Sequence, residues 1–266
     1  MSEVNNGYAL ITGASSGIGY ELARLFAADG FDLILVSRQQ DELNRIADEF
    51  SQQFGVTVEV IAKDLFGETA ATELYQEVKS RGWQVEVLVN DAGQGVYGKF
   101  IETDLEAQMR IIHLNIVSLT SLTYHFLKDM VARNSGKILQ LGSVVSEIPA
   151  PLQSVYGGTK AYVLSFSEAI RNELKDTDVT VTVLQPGATD TDFFNKAGAQ
   201  NSKMVEDKSK LSDPAKVAKD GYEALMSGDD KIVSGLKNKA QIAAANVIPD
   251  TMLAANMRKQ SEEKDK

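Results

Sequence analysis

Seven short apolar runs, most of them rich in β-branched residues, alternate with longer amphipathic stretches along the chain. Several runs are apolar nearly throughout, which is typical of parallel strands covered by helices on both faces. The alternation predicts an α/β fold, a doubly wound parallel sheet of about seven strands flanked by helices. The predicted strands are Tyr8–Thr12, Asp32–Ser37, Val56–Ala62, Val85–Asn90, Lys137–Gly142, Val179–Leu184 and Lys231–Val233. The predicted helices are roughly Ile18–Ala28, Asp41–Phe54, Thr69–Arg81, Leu105–Ala132 and Val155–Lys175.

The alternation contains no repeat and no internal linker, so residues 1–266 are predicted to form one domain. Residues 188–213 are polar apart from a Phe193-Phe194 pair and follow the sixth predicted strand, where a segment could cover a ligand. They are predicted to be a substrate lid, although a plain surface excursion explains their distal half equally well. Residues 236–266 are predicted to be a C-terminal helix and tail, with a charged and frayed end at Ser261–Lys266.

Composition excludes several classes of function. The chain has no cysteine and only two histidines, so disulfides, thiolate catalysis and zinc-thiolate sites are excluded, and no metal site is predicted. A net charge of −10 argues against nucleic acid and anionic membranes as partners. No apolar run approaches the ~20 residues that span a bilayer. Because residues 1–6 lack the features of a signal peptide, a cytoplasmic location is expected.

A glycine-rich segment joins the first predicted strand to the first predicted helix and reads Thr12-Gly13-Ala14-Ser15-Ser16-Gly17-Ile18-Gly19. Glycines at such a junction let the backbone approach a diphosphate, which the helix N-terminus then stabilises. The spacing differs from the usual dinucleotide fingerprint, and the Gly-Lys-Ser/Thr of a triphosphatase loop is missing. The position of the segment favours dinucleotide binding over a purely structural turn.

The ends of the next three predicted strands indicate which dinucleotide would bind. Arg38 stands where an NAD site normally offers an acidic side chain to the ribose. A guanidinium can pair with a 2′-phosphate that a carboxylate would repel, so NADP(H) is predicted over NAD(H). Asp64-Leu65 could contact the adenine, and the small residues Ala92-Gly93 leave room for the cofactor. An ordinary turn explains each of these two pairs equally well.

Tyr156 and Lys160 are four residues apart in a predicted helix, so they lie on one face, one turn from each other. A nearby ammonium favours the phenolate and is predicted to lower the pKa of Tyr156 below its free value of ~10. A tyrosine tuned in this way can give a proton to a carbonyl oxygen and later take it back. The spacing alone arises by chance on many helices, so the surrounding motifs decide its meaning.

The ordered set of motifs resembles the short-chain dehydrogenase/reductase family in its short single-domain form. The 13 positions from Ser143 to Tyr156 agree with the family, and the resemblance extends to about residue 235. It implies a Rossmann-type sheet in three αβα layers. The matching positions are Thr12-Gly-x-x-x-Gly-x-Gly19, Asn90-x-Ala-Gly93, Asn115, Ser143, Tyr156-x-x-x-Lys160 and Pro186-Gly187-x-x-x-Thr191.

The resemblance implies four catalytic residues. Tyr156 would be the general acid in reduction and the base in the reverse direction, and Lys160 would lower its pKa and bind the nicotinamide ribose. Ser143 would hydrogen-bond the substrate oxygen, and Asn115 would anchor a water that carries the proton. The residues assigned to the cofactor site are Gly13, Ser15, Ser16, Gly17, Ile18, Gly19, Arg38, Asp64, Leu65, Asn90, Ala92, Gly93, Tyr156, Lys160, Pro186, Gly187, Thr189 and Thr191.

The predicted reaction is the reversible, NADPH-dependent reduction of a ketone or aldehyde to an alcohol. An NAD-linked alcohol dehydrogenase and a catalytically silent NADP-binding regulatory module are the alternatives. Family members pair through the helices matching Leu105–Ala132 and Val155–Lys175, which implies a homodimer or homotetramer.

The predicted substrate site is mostly apolar. Segment 144–153 and the chain after Gly187 have no clustered Arg or Lys, so a moderately hydrophobic carbonyl compound is expected. The residues assigned to the substrate are Ser143, Val145, Tyr156 and Phe193.

One position departs from the family pattern, because the second of two usual asparagines before Ala-Gly is here Asp91. An aspartate can still accept the hydrogen bonds of that asparagine, but it cannot donate when ionised. A small change in local stability or in the response to pH is expected.

Overall fold

The computed structural model of the protein describes residues 7–245 and 247–263. Residues 1–6, which bear on the expected location, and the last three residues of the predicted tail lie outside the described residues. All seven predicted strands are present, and each boundary agrees with the prediction within two residues. The strands are β1 Tyr8–Thr12, β2 Asp32–Ser37, β3 Val58–Ala62, β4 Val85–Asn90, β5 Gly136–Leu141, β6 Val179–Gln185 and β7 Lys231–Val233.

The strands form one parallel sheet in the order β3-β2-β1-β4-β5-β6-β7. The order reverses between β1 and β4, and the loops after these two strands therefore part at the carboxyl edge of the sheet. In open α/β sheets, this switch point is where ligands bind. The predicted fold class is therefore confirmed, and the topology identifies the edge of the sheet that carries the site.

Two apolar cores cover the two faces of the sheet. Successive strand residues point to opposite faces: Ile11 of β1 packs into one core and its neighbour Leu10 into the other. The first core contains Phe26 and Phe50, from the first two helices, both fully buried. The second contains Phe126 on the opposite layer. The central runs are apolar nearly throughout because both faces of these strands are covered.

Ten α-helices are described, and several differ from the predicted set. They are α1 Gly17–Ala28, α2 Gln40–Phe54, α3 Ala70–Ser80, α4 Leu105–Ile112, α5 Leu119–Ala132, α6 Ser154–Glu173, α7 Phe193–Lys196, α8 Pro214–Ser227, α9 Leu236–Ala245 and α10 Asp250–Ser261. A π-helical segment, His113–Ser118, joins α4 to α5, so the predicted single helix over 105–132 is a helix with a local widening. No described helix has both the length and the apolarity that crossing a membrane requires.

Helix α8 has no counterpart among the predicted helices, although the sequence contains its start signal. The Asp213 carboxylate accepts the N–H of Ala215 at 2.9 Å, and Pro214 occupies the first turn, where its missing N–H costs nothing. The predicted single C-terminal helix is instead a pair, and Pro249 stands at the start of the second.

The described part of the predicted frayed tail is bound to the lid. The N–H of Lys203 donates to the carbonyl of Glu262 at 2.9 Å, and Ser202 forms an antiparallel bridge with Glu263. The hydroxyl of Tyr97 donates to the carbonyl of Ser261. Fraying is therefore wrong for Ser261–Glu263, because the backbone of the lid and the hydroxyl of Tyr97 bind these residues.

A buried hydroxyl ties β1 to the loop after β4. Oγ1 of Thr12 accepts the backbone N–H groups of Asp91 and Ala92, each at 3.1 Å, and donates to the carbonyl of Val89 at 3.2 Å. Thr12 is 1% exposed, so water cannot replace these bonds. The conformation of the loop after β4 therefore depends on one side chain of β1.

Replacing Thr12 with Val should lower the free energy of unfolding by about 1–3 kcal/mol, because two buried N–H groups lose their acceptor. Thr180→Val is the matched control, since the buried Oγ1 of Thr180 has no partner among the described residues and its loss should cost little. Urea unfolding of both variants measures the difference. Equal stability of the two variants would contradict the role of the Thr12 hydroxyl.

Candidate active site

A cleft of about 1470 Å³ lies at the carboxyl edge of the sheet. The loops after all seven strands, the lid and the C-terminal helices line it. Pockets for one small ligand usually have ~300–1,000 Å³, so this cleft has room for a dinucleotide and a second small molecule.

The N-terminus of α1 opens into this cleft. Gly13 (φ +75°) and Gly17 (φ +60°) adopt the left-handed conformation that favours glycine, and this turns the chain sharply from β1 into the helix. The side chain of Ser16, at the N-cap, does not cap the helix. The residues Ser15, Ser16 and Ile18 line the cleft there. The positive end of the helix dipole therefore faces the cleft and fits a diphosphate.

Arg38 lies at the opposite end of the same wall and is exposed. Its guanidinium carbon is 5.7 Å from the centroid of the Phe66 ring, and that of Arg110 is 4.7 Å from the same ring. No ion pair among residues 7–245 and 247–263 includes Arg38. The Arg38 charge is therefore available for a phosphate in the cleft.

Tyr156 and Ser143 meet in the middle of the cleft. Ser143 follows β5 and caps the short 3₁₀ turn Val144–Ser146, its Oγ accepting the N–H of Val145 at 3.3 Å. Burial raises the pKa of Tyr156 to about 12; a hydrogen bond with Ser143 offsets part of this rise, and the charge of Asp91 adds to it. The prediction that the pKa of Tyr156 lies below its free value is wrong for this structure, because burial of the phenol outweighs the other contributions.

Lys160 lies one helical turn beyond Tyr156 and is 4% exposed. Its Nζ donates to the carbonyl oxygen of Leu141 at 2.6 Å and lies 5.7 Å from the centroid of the Tyr156 ring. Burial lowers the pKa of Lys160 to about 8, and Asp91 counteracts this effect. The ammonium is therefore directed at the end of β5, between the phenol and the loop after β4.

Asp91 lies beneath the glycine-rich loop. Its Oδ2 is so close that a Cβ added at Gly13 or Gly19 would lie 2.7 or 2.5 Å from it. Burial raises the pKa of Asp91 to about 7, while the charge of Lys160 and a hydrogen bond from the N–H of Gly19 oppose the rise. The carboxyl group thus titrates near neutral pH.

Asn115 lies in the π-helical segment between α4 and α5 and is 1% exposed. Its Nδ2 donates to the carbonyl of Gln94 at 2.9 Å and to Oγ1 of Thr159 at 3.0 Å, and its Oδ1 accepts the N–H of Gln94 at 3.1 Å. A Cβ added at Gly93 would lie 3.4 Å from this Oδ1 and 3.5 Å from Nζ of Lys160. The widened helix therefore brings the amide of Asn115 to the loop that Lys160 also approaches.

The lid closes one side of the cleft over Tyr156. The ring centroid of Phe193 is 5.1 Å from that of Tyr156, and a Cβ at Gly95 would lie 2.9 Å from the Phe193 ring. The ends of the lid are joined, since Ser212 donates its N–H to Ala188 at 2.9 Å and accepts that of Asp190 at 2.9 Å. Phe193 is thus held against the phenol.

Most of the residues assigned from sequence line the cleft, but three do not. The side chain of Asn90 is buried in the core, where its Nδ2 donates to Thr123 at 3.1 Å and to Gln140 at 3.0 Å. Asn115 and Gly19 lie behind the cleft wall. The assigned residues that line it are Gly13, Ser15, Ser16, Gly17, Ile18, Arg38, Asp64, Leu65, Ala92, Gly93, Ser143, Val145, Tyr156, Lys160, Pro186, Gly187, Thr189, Thr191 and Phe193.

The cleft also contains residues that the sequence did not indicate. Eight basic and three acidic side chains line it, although the chain as a whole is acidic. Several of the lysines come from the lid and from α9 and α10, not from segment 144–153. Leu253 and Met257 of α10 complete the apolar wall beside Val144 and Ile248. No local motif signals these residues, because folding alone brings the C-terminus to the cleft.

Comparison with known proteins supports the family resemblance over most of the chain. The sequence model of the short chain dehydrogenase family matches residues 7–202. Dehydrogenase/reductase SDR family member 7B of Danio rerio is 30% identical over 265 residues, which covers 95% of this chain and 86% of that protein.

Solved structures agree with this family match. The short-chain dehydrogenase from Sphingobium yanoikuyae in complex with NADPH superposes with a TM-score of 0.79 at 28% identity, covering 97% of this chain and 99% of that one. The bulky-bulky ketone specific alcohol dehydrogenase from Comamonas testosteroni has a TM-score of 0.78 at 26% identity, covering 92% and 93%.

Replacing Gly19 with Ala should destabilise the protein by about 1–3 kcal/mol, because the new Cβ would lie 2.5 Å from Oδ2 of Asp91 and 2.6 Å from the carbonyl oxygen of Gly13. Gly158→Ala is the control, since no atom lies within 4 Å of its Cβ position on α6. That variant should gain about 0.5–1 kcal/mol from helix propensity. Chemical denaturation of both compares them, and a Gly19→Ala protein as stable as the parent would refute the close packing beneath the loop.

Proposed function

The chain belongs to the short-chain dehydrogenase/reductase family, and we propose that it uses NADP(H) to reduce a ketone or aldehyde to an alcohol, reversibly. The observation that carries this proposal is the meeting of Ser143, Tyr156 and Lys160 at one cleft with the open N-terminus of α1. The positive helix end and the unpaired Arg38 fit the phosphates of the dinucleotide, and the remaining volume fits a small substrate.

Tyr156 is the proposed proton donor to the carbonyl oxygen. When bound, the nicotinamide supplies the hydride, and the protein supplies position and electrostatics. Because burial raises the pKa of Tyr156, the phenol keeps its proton throughout the neutral range and remains available as an acid. The buried charge of Lys160, one turn away, would stabilise the tyrosinate that forms as the proton leaves.

The other two residues support this proton transfer. The hydroxyl of Ser143 is hydrogen-bonded to Tyr156. It would also donate a hydrogen bond to the substrate oxygen, on which negative charge develops during reduction. Asn115 holds the backbone of Gln94 and approaches the loop beside Lys160, which supports a role in the path by which the proton is replaced.

NADP(H) is the proposed cofactor, with Arg38 as the contact to the 2′-phosphate. Arg38 is exposed, lines the cleft and has no acidic partner among the described residues. The similar protein from Sphingobium yanoikuyae was solved with NADPH, which supports the proposal by analogy. This disfavours an NAD-linked alcohol dehydrogenase. A silent regulatory module is disfavoured because all four family residues are present.

The proposed substrate is a carbonyl compound with a moderately hydrophobic body. Phe193 packs against the ring of Tyr156, and Val145 and Met257 add apolar side chains to the lining of the cleft. The similar ketone-specific enzyme from Comamonas testosteroni supports a ketone. The lysines of the lid and α10 also permit a polar or anionic group at the far end.

We also propose that the protein assembles with copies of itself and acts in the cytoplasm. Leu105 of α4 (65% exposed) and Tyr124 of α5 (58%) leave large apolar side chains uncovered in one chain. Covering such a surface stabilises oligomers of related folds.

Replacing Tyr156 with Phe should lower NADPH-dependent turnover by about 10²–10⁴-fold, because the general acid is lost while the ring remains. Spectrophotometric NADPH oxidation against a panel of ketones, aldehydes and diketones measures this. Tyr162→Phe serves as the control, since Tyr162 is on the same helix as Tyr156, but its hydroxyl contacts Thr120 of α5 and it does not line the cleft. Full turnover in the Tyr156 variant would refute the assignment of the proton donor.

Replacing Arg38 with Ala should raise the dissociation constant of NADPH about 10–100-fold and leave that of NADH nearly unchanged, because a charged hydrogen bond to the 2′-phosphate is lost. Titration of nucleotide fluorescence gives both constants. Arg110→Ala is the control, since Arg110 stacks on the same Phe66 ring but does not line the cleft. Equal effects on the two nucleotides would rule out the proposed phosphate contact.

A further inference from the structure

The proposed mechanism leaves one titratable group of the site without a function, the carboxyl group of Asp91. It stands at the end of β4, beneath the turn from β1 into α1, and accepts the N–H of Gly19. Its own N–H is held by Thr12 at 3.1 Å. The backbone of Asp91 is therefore anchored to β1, and its carboxyl group is anchored to the first turn of α1.

The same strand end brings Asp91 beside the ammonium of Lys160. Asn90 and Gln140 are register partners on adjacent strands, so Asp91 and Leu141 follow at neighbouring positions. The carbonyl oxygen of Leu141 accepts Nζ of Lys160 at 2.6 Å. A Cβ placed at Gly93 would lie 3.5 Å from this Nζ and 3.7 Å from the backbone oxygen of Asp91. The ammonium of Lys160 and the backbone of Asp91 thus both lie close to Gly93, and the charge of each side chain acts on the other.

We propose that Asp91 is a positioning residue that acts through Lys160: its carboxylate, fixed beneath the glycine-rich loop, keeps the buried ammonium protonated above neutral pH. Lys160 is 4% exposed and makes one hydrogen bond, to an uncharged carbonyl. Burial of an ammonium in such surroundings favours its neutral form, and a nearby negative charge reverses that preference. An asparagine at position 91 would accept the same N–H of Gly19 but would bring no charge.

Among the groups that surround Asp91, the charged partner is the ammonium of Lys160. Elements β1 and α1 face it with the hydroxyl of Thr12 and the N–H of Gly19, and α6 faces it with Lys160 and Tyr156. Burial raises the pKa of Asp91 and lowers that of Lys160, and each charge opposes the shift of the other. Above about pH 7, where Asp91 is ionised, the carboxylate therefore keeps Lys160 protonated to a higher pH than burial alone would allow.

This inference rests on the proposed function for its effect on catalysis, but the charge of Lys160 can be measured without substrate or cofactor. In protein labelled with ¹³C at lysine Cε, the Cε chemical shift follows protonation of Nζ. The Lys160 signal is assigned by its loss in Lys160→Met. In Asp91→Asn, we expect the midpoint of this titration to fall by about one pH unit or more. Asp64→Asn, which removes another cleft carboxyl group, should leave it unchanged.

The pH profile of NADPH-dependent reduction is the second measurement. If Lys160 must be charged, the loss of kcat/KM at high pH should move down by the same amount in Asp91→Asn. A purely structural Asp91 would change stability without moving the midpoint or the profile. An unchanged Cε midpoint would overturn the inference. A shifted midpoint with no turnover on any carbonyl would support it and count against the proposed reaction.

If Asp91→Asn fails to fold, the natural protein still provides a test. Ionisation of Asp91 should appear in the Lys160 Cε titration as a separate inflection near neutral pH, and the ammonium should still be charged at about pH 7.5. A single transition to the neutral amine below that pH would overturn the inference.

Discussion

The site depends on how the ends of three adjacent parallel strands are held together. Thr12 of β1 accepts two N–H groups from the loop after β4, and Asn90 of β4 donates to Gln140 of β5. These bonds are buried, so they set the separation of the loops that carry Asp91 and Ser143 with little freedom. Once the strand ends are joined, the turn into α1 and the start of the 3₁₀ turn after β5 face each other across the cleft.

Burial then determines the chemistry of this edge. Tyr156, Lys160 and Asp91 are three titratable groups in one poorly hydrated corner, and burial shifts each towards its neutral form. The phenol keeps its proton throughout the neutral range. The ammonium would lose its charge without a nearby anion, and the carboxylate beneath the loop supplies one. A pair of opposite charges with fixed hydrogen bonds is the arrangement in which such burial is tolerated.

The far end of the cleft is built by chain that is distant in sequence. The backbone of Lys203 pairs with Glu262, and Tyr97 binds the carbonyl of Ser261, so the lid and the C-terminus form one wall. Because α10 contributes Leu253 and Met257 to the same wall, differences in this segment would change which substrates fit while leaving the proposed proton-transfer residues in place.

The sequence by itself determined the sheet, the glycine-rich turn into α1 and the helix face shared by Tyr156 and Lys160, since each follows from local periodicity or from glycine at a strand–helix junction. The start of α8 was also readable, from Asp213 and Pro214. Only the tertiary structure decided the direction of the Tyr156 pKa, because desolvation depends on groups packed from distant elements. The tertiary structure also showed that the side chain of Asn90 lies in the core and that lysines of α9 and α10 line the cleft. Spacing along the chain does not reveal how deeply a side chain is buried or which residues distant in sequence it contacts. Burial and these long-range contacts determine the electrostatics of the site.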